Sequence, residues 1–325
     1  MISSSIEDAV TLLKDGEVVA FPTETVYGLG AIAYDANAVS KIFECKGRPH
    51  FDPLIVHTGN ADQAFALCTK VTQAALQLAN SFWPGPLTLV LPKVASIPDI
   101  VTAGLPSVAL RVPAHPVTQA LLTAVGAPLA APSANRFGRV SPTTAEHVLN
   151  DLGSRVPLIL QGGACQRGLE STIVSLLEDR PRLLRPGSIA LEDIRDAVGP
   201  VDTASENFDA RLSPGQLKSH YAPRTPMQPL DHAEPPRAGE RVGLLAIGPT
   251  SESGYAAIEV LTANHDLREA ATNLFSALRR LDAQELDRIV CEFAPTRGLG
   301  YAINDRLSRG CQPTYSGQLE PTTLK

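Results

Sequence analysis

Cysteine is sparse and scattered in this chain. Cys45, Cys68, Cys165, Cys291 and Cys311 are the five in 325 residues, and none forms the Cys-x-x-Cys spacing of a zinc site or a disulfide framework. A reducing compartment is expected. Aromatic residues make up only 5% of the chain, which is thin for a protein that stacks on bases. Positive charge is in deficit: 28 Lys plus Arg against 34 Asp plus Glu give a net charge of −6. A broad phosphate-binding surface is therefore not indicated, and direct tRNA binding is expected to be weak or absent. No run of about 18 apolar residues occurs, and the start, MISSSIEDAV, has no basic stretch followed by an apolar one. Neither a membrane span nor a signal peptide is expected, and the protein is placed in the cytoplasm. The nucleophile elbow of a hydrolase is missing. RVGLLAIG (241–248) also lacks the G-x-G-x-x-G spacing of a dinucleotide site.

With 44% hydrophobic and 19% charged residues, the chain can bury two modest cores. Short apolar runs alternate with helical stretches, an α/β pattern. Strands are expected at 17–21, 54–57, 87–91, 107–112, 128–131, 157–160, 171–176 and 182–185, with helices near 35–45, 60–80, 115–125, 143–151 and 191–197. Ser4 followed by Glu7 fits a capping box for a first helix. Residues 199–240 turn polar and proline-rich, as a connector would. Beyond them, strands at 241–248, 256–262 and 287–293, with helices near 266–282 and 298–309, suggest a small doubly wound sheet.

The passage from 20 to 57, AFPTETVYGLGAIAYDANAVSKIFECKGRPHFDPLIVH, carries the most chemistry. Pro22 ends a strand; Thr23, Glu24, Thr25 and Tyr27 then cluster polar groups, and Gly28 and Gly30 permit unusual angles or close approaches. Asp35 can cap a helix that ends at Lys46-Gly47-Arg48, and a second strand delivers His57. Such a passage reads as a site for an anion, although a strand–turn–strand with a solvated Lys-Gly-Arg cap would use similar residues.

These residues resemble the YrdC-like threonylcarbamoyl-AMP synthases in their longer two-domain form. The likeness rests on PTETVYGLG (22–30), KGRP with the PLIVH strand (46–57), WPGPLTLVL (83–91), VALRVPAHP (108–116), APSANRFGRVSPT (131–143), GLESTIV (168–174), LLRPG (183–187) and SPGQLKSHYAPRTP (213–226). The resemblance implies a YrdC-like twisted mixed α/β sheet with helices as a catalytic domain over 1–199. It also implies a linker folding over the active site at 200–240 and a small Rossmann-like domain at 241–325. The implied reaction joins L-threonine, bicarbonate and ATP, with Mg²⁺, into threonylcarbamoyl-AMP and pyrophosphate. A separate tRNA threonylcarbamoyltransferase complex would then use the product to modify the adenosine next to the anticodon. Carried over to this sequence, Lys46, Arg48, Ser133 and Asn135 would be catalytic. Arg48, Asp52, Ser107, Ser133, Ser141, Arg185 and Tyr221 would hold ATP, and Thr25, His57, Arg111, Ala131 and Ser171 would surround threonine. An RNA-binding module, or an enzyme using carbamoyl phosphate, are the alternatives.

The side-chain chemistry fits that assignment. Arg48 and Arg185 are forks for phosphate oxygens, Lys46 is a point charge, and Ser133, Asn135 and Ser141 add neutral donors. Pro132, Ser133 and Asn135 are also ordinary turn formers. Arg111 sits in an apolar strand, where its charge must find either a substrate carboxylate or an interior carboxylate. His57 is expected to orient substrate, unless backbone groups alone satisfy it. Asp52 stands where the family often has Asn; as an acceptor it would meet adenosine, metal or a neighbouring Arg, or simply end the loop. No metal-ligating residue is assigned, because Mg²⁺ takes most of its ligands from phosphate and water. His220 and Tyr221 are an aromatic pair with no purpose in a bare linker; they would close over the nucleotide as a gate or pin the linker to the first domain.

Overall fold

The computed structural model describes residues 1–49, 52–203 and 220–312. Among them, one sheet has 11 strands and a second, formed by residues from 227 onward, has 4. The large sheet starts at one edge with Ile2–Ser3 and Leu158–Leu160 and ends at the other with Asp202–Thr203. The strands that frame the site are β2 (Val19–Phe21), β3 (Gly28–Ile32), β4 (Ile55–His57), β5 (Leu87–Pro92), β6 (Ser107–Arg111), β7 (Leu129–Ala130), β9 (Thr172–Ser175) and β10 (Arg182–Arg185). Parallel pairing sets His57 opposite Arg111 and Ile55 opposite Ala109. Because side chains alternate along a strand, those four share one face. Val56, Leu110, Leu89 and Val174 point the other way into the main core, together with Val39, Ile42 and Phe43 of α2 (Ala36–Lys46).

Local chemistry explains several of the elements. Asp35 caps α2 by accepting from the amides of Asn37 and Ala38, and Gly47, at φ 63°, ends it in the left-handed region that glycine enters freely. The first helix, α1 (Ile6–Lys14), is capped by Ser5, whose hydroxyl accepts from Asp8 N, rather than by Ser4. Residues 28–32 form a strand rather than a loop. The glycines there serve close approach: a Cβ on Gly30 would lie 2.5 Å from the Phe21 ring. The helix expected over 60–80 is two, α3 (Ala61–Phe65) and α4 (Gln73–Phe82). Between them Cys68 bridges to Lys93, and Thr69 N donates to Pro92 O, so the chain leaves the helix to follow the end of β5.

The second sheet is wholly parallel, and it begins inside the expected connector: β12 (Met227–Pro229) pairs with β15 (Arg288–Cys291). Its other strands are β13 (Val242–Ala246) and β14 (Ala257–Val260). Leu245, Ile289 and Cys291 pack against Leu274, Phe275 and Leu278 of α9 (Leu267–Asp282) and Ile303 and Leu307 of α10 (Gly300–Gly310). Among the described residues both helices thus cover one face, while Val242, Leu244, Ala246 and Val290 on the other are covered by Leu230, Ala233 and Tyr255 rather than by an α-helix, so the described unit is not doubly wound. Ile258 and Val260 stay exposed on the other face of the edge strand β14. No helix among the described residues is long and apolar enough to cross a membrane.

Candidate active site

A small cavity lies on the sheet face that carries His57 and Arg111. It is lined by Arg48, His57, Arg111, Ala131, Ser133, Ser171, Arg185 and Tyr221, all singled out from the sequence, and by Thr23, Val26, Tyr27, Gly28, Ile55, Pro132, Glu170 and His220. Its volume is about 50 Å³, far below the roughly 300–1,000 Å³ of ordinary ligand pockets. The cavity is narrow, and His220 and Tyr221 form part of its wall.

The remaining sequence-selected residues stand behind this lining. Lys46 is buried at the end of α2, donating to Ser133 O at 2.6 Å and to Asn135 O. It ties the 133–135 turn to α2. Burial, reinforced by the charge of Arg48, pulls its pKa well below the ordinary lysine value. Ser133 Oγ donates to Asn135 Oδ1 at 2.6 Å, and the Asn135 amide donates to the carbonyls of Arg136 and Arg139. Thr25 belongs to a hydroxyl turn, with Oγ1 2.7 Å from that of Thr23. Ser141 donates to Glu170 Oε1 at 2.5 Å. Ser107 opens β6, on the same face as Arg111 but about 13 Å away along the strand, outside the cavity lining.

Asp52 approaches Arg48 Nη2 at 2.9 Å, a contact angled away from hydrogen-bond geometry, so its buried Oδ2 receives no donor. Burial raises the Asp52 pKa against the pull of Arg48. Arg48 spends Nε on Asp52 O and Nη2 on Pro53 O. Arg111 makes the interior ion pair that was one of its two readings: Nη2 donates to Glu24 Oε1 at 2.6 Å and Nε to Gly85 O at 3.3 Å. Glu24 also accepts from Ala114 N. Arg111 nevertheless lines the cavity, and its Nη1 has no hydrogen bond to the described residues. Arg185 grips Ser171 through its carbonyl at 2.9 Å and its hydroxyl at 3.1 Å.

His57 donates from Nδ1 to Ile55 O at 3.2 Å, since a carbonyl can only accept. Burial, and then the charge of Arg111, push its pKa down to about 3. The imidazole is therefore neutral at ordinary pH and a poor proton acceptor. Burial likewise lowers the His220 pKa well below its usual value, with Arg48, Lys46, Arg306 and Arg185 adding to the effect. Tyr221 is pushed up to about 12 by burial. Among the described residues, its hydroxyl and the Nδ1 of His220 are buried without hydrogen-bond partners, as groups that a ligand or an opening of the site would satisfy.

Two residues that sequence reasoning did not select support this wall. Glu170, within GLESTIV, receives Arg306 Nε at 2.9 Å as well as the Ser141 hydroxyl. Arg306 comes from α10 of the second unit. It is 0% exposed in its side chain and also bonds Asp305 at 2.5 Å. Its guanidinium carbon sits 4.9 Å over the Tyr221 ring, which also stacks on Phe275 at 5.7 Å and meets the His220 ring edge-on at 4.1 Å. Burial opposes the Arg306 charge, but Tyr221, Glu170 and Asp305 outweigh it and raise the pKa. The sequence held a signal: Arg306 shares the helical face of Ala302, Ile303 and Leu307, where an unpaired cation would be out of place. Tyr221 lines the cavity and packs on Phe275 and Arg306 of the second unit, while the adjacent Ala222 pairs with Arg139 and donates to Gly138 O, so the segment is held by both units. Residues 213–219 of that segment lie outside the described residues.

Comparison with known proteins decides the family. One family model, described as telomere recombination, matches residues 11–187, and another, described as threonylcarbamoyl-AMP synthase, C-terminal domain, matches 189–311. Threonylcarbamoyl-AMP synthase from Pyrococcus abyssi is 40% identical over 321 residues, covering 94% of this chain and 93% of the relative. The chain belongs to the threonylcarbamoyl-AMP synthase family. The Bacillus subtilis synthase is 43% identical, covering 94% of this chain and 92% of that one. The crystal structure of P. abyssi Sua5 complexed with L-threonine superposes with a TM-score of 0.87 at 40% identity, covering 94% of each chain. Family membership makes this chain an enzyme of the nucleotidyltransferase kind, whose product is an adenylate.

Proposed function

We propose that this chain makes threonylcarbamoyl-AMP and pyrophosphate from L-threonine, bicarbonate and ATP, supplying the acyl group that a separate transferase moves to tRNA adenosine. One observation carries the reading: a single cavity gathers three guanidinium groups, Arg48, Arg111 and Arg185, with hydroxyls of Ser133 and Ser171 and a neutral imidazole. Two anions and one neutral amine need such a set. Arg48 and Arg185 are the forks for phosphate oxygens. Arg111, whose charge Glu24 already offsets in part, is left to offer Nη1 to the amino-acid carboxylate, and His57 orients the amino acid without taking its proton.

Catalysis then rests on positioning and charge stabilisation, which for well-aligned reactants lowers barriers by about 7–11 kcal/mol. The threonine amine adds to carbon dioxide derived from bicarbonate, giving a carbamate after loss of a proton. A carbamate oxygen attacks the α-phosphorus, the bond to the β-phosphate oxygen breaks, and pyrophosphate leaves. Mg²⁺ enters with ATP as part of the substrate. Among the described residues no cluster of three or more His, Cys, Asp or Glu side chains is placed to hold a metal, and Glu170 is already committed to Arg306 and Ser141. A cavity of about 50 Å³ is too small to enclose ATP, so His220 and Tyr221, which line it, swing out for entry and return to shield the adenylate from water.

The test is pyrophosphate release from MgATP with bicarbonate, with and without L-threonine. Release that requires threonine supports the proposal. Turnover of carbamoyl phosphate without threonine would replace it with the carbamoyl reading, and salt-sensitive tRNA retention without either turnover would favour an RNA-binding module.

A further inference from the structure

Two cysteines that the sequence sets far apart meet in the second unit. Cys291 ends β15 and Cys311 directly follows α10, and their sulfurs lie 3.7 Å apart although 20 residues separate them. Both are free thiols. Their settings differ: Cys291 is 1% exposed, within the core between the sheet and α10, with the Gln228 carbonyl 3.6 Å from its sulfur. Cys311 is half-buried and can be reached from solvent. Among the described residues no other cysteine pair has sulfurs in contact.

We propose that Cys311 and Cys291 are a thiol–disulfide exchange site, in which Cys311 reacts first with a low-molecular-weight disulfide and Cys291 resolves it. The Cys311 thiolate attacks one sulfur of the small disulfide, forming a mixed disulfide and releasing one small thiolate. The Cys291 thiolate then attacks the Cys311 sulfur and releases the second. The protein loses two protons and two electrons, and the small disulfide becomes two thiols. The sharing of a thiol hydrogen between the pair favours the thiolate at Cys311 and disfavours it at Cys291, in keeping with this order. The cross-link staples the C-terminal end of α10 to β15. Arg306, five residues before Cys311 on the same helix, is the side chain that reaches Glu170 and Tyr221 in the cavity, so oxidation fixes the helix that delivers it.

The experiment incubates the folded full-length chain with oxidised glutathione, then counts thiols, maps peptides by mass spectrometry and follows thermal unfolding. The expected result is a cross-linked peptide pair containing Cys291 and Cys311, reversed by dithiothreitol. The oxidised form is expected to unfold about 4 °C higher. Cys291→Ser should leave glutathione trapped on Cys311. If that variant fails to fold, Cys311→Ser decides instead, since it should abolish both the cross-link and the rise in unfolding temperature. Stable glutathione on Cys311 of the parent chain, or both thiols left untouched, would overturn the proposal.

Discussion

Replacing Arg306 by methionine isolates the contact through which the second unit supports the cavity wall. Methionine keeps most of the side chain's length and apolar stem but removes the charge and all donors. Asp305 retains an ion pair with Arg309, whose Nε lies at 2.9 Å. Glu170 fares worse: it keeps the Ser141 hydroxyl at 2.5 Å, but its buried carboxylate loses the one cation bonded to it and is left with the more distant charge of Arg185. Stranding one member of a buried pair costs about 3–5 kcal/mol, a large share of the roughly 5–15 kcal/mol by which domains are stable. With an unfolding entropy of about 2.1 cal/mol/K per residue, a chain of this length should lose about 4–7 °C in unfolding midpoint. The assay is thermal unfolding of Arg306→Met followed by circular dichroism and by intrinsic fluorescence, alongside Glu170→Gln and the double variant. The double variant leaves no stranded charge and should be more stable than the sum of the single losses predicts. Arg280→Met is the control. Its bidentate pair with Glu259, at 2.7 and 2.9 Å, lies on the surface, where such a pair is worth about 0–1 kcal/mol. If Arg306→Met loses no more stability than Arg280→Met, or if the double variant is simply additive, the buried lock is not what joins the two units.

Tyr221→Phe removes a buried hydroxyl that has no hydrogen-bond partner among the described residues, so stability measured by urea unfolding should be unchanged or slightly higher. Pyrophosphate release should fall, because the hydroxyl then has no ligand role to fill; unchanged activity together with lost stability would contradict this. A pH effect follows from His57. Its folded pKa of about 3 lies below the ordinary 6.5, so the unfolded chain binds the extra proton. The contribution to stability is complete above pH 6.5 and is lost as pH falls toward 3, with about 2 kcal/mol gone by pH 5. Denaturant unfolding at pH 7 and 5 should show a shallower acid loss for His57→Asn than for the parent, with His220, His147 and His115, whose pKa values burial also lowers, contributing to the remainder. Gly168→Ala places a side chain at φ 69°, where its Cβ would lie 2.3 Å from Thr272 O. The variant should lower the unfolding midpoint and loosen α9 from the first unit, as read by faster amide exchange in 267–282.

Much of the site was legible because its residues sit where strands end or turn. Pro22, Asp35, Gly47 and Pro53 punctuate the chain so firmly that His57, Lys46 and Arg48 could be placed from local rules alone. VALRVP likewise put Arg111 in an apolar strand where its charge needs a partner, without saying which face of the sheet it takes. Long-range partners were less accessible. Nothing near Arg111 in sequence announces Glu24, 87 residues away, and nothing near Glu170 announces Arg306. The strand at Gly28–Ile32 was hidden because its glycines speak for a loop, whereas their reason is the Phe21 ring lying across them. The arrangement of the second unit depends on which face each helix covers, and helix periodicity fixes a buried stripe without saying which side of a sheet receives it.

The most direct test of the central claim is to follow label from bicarbonate into an adenylate, using the purified chain with MgATP and L-threonine. The account predicts a labelled adenylate that forms only with threonine present, and forms much more slowly in Arg48→Gln and Arg111→Gln chains that remain folded. A labelled adenylate that forms equally without threonine, or none from folded parent protein, would contradict it.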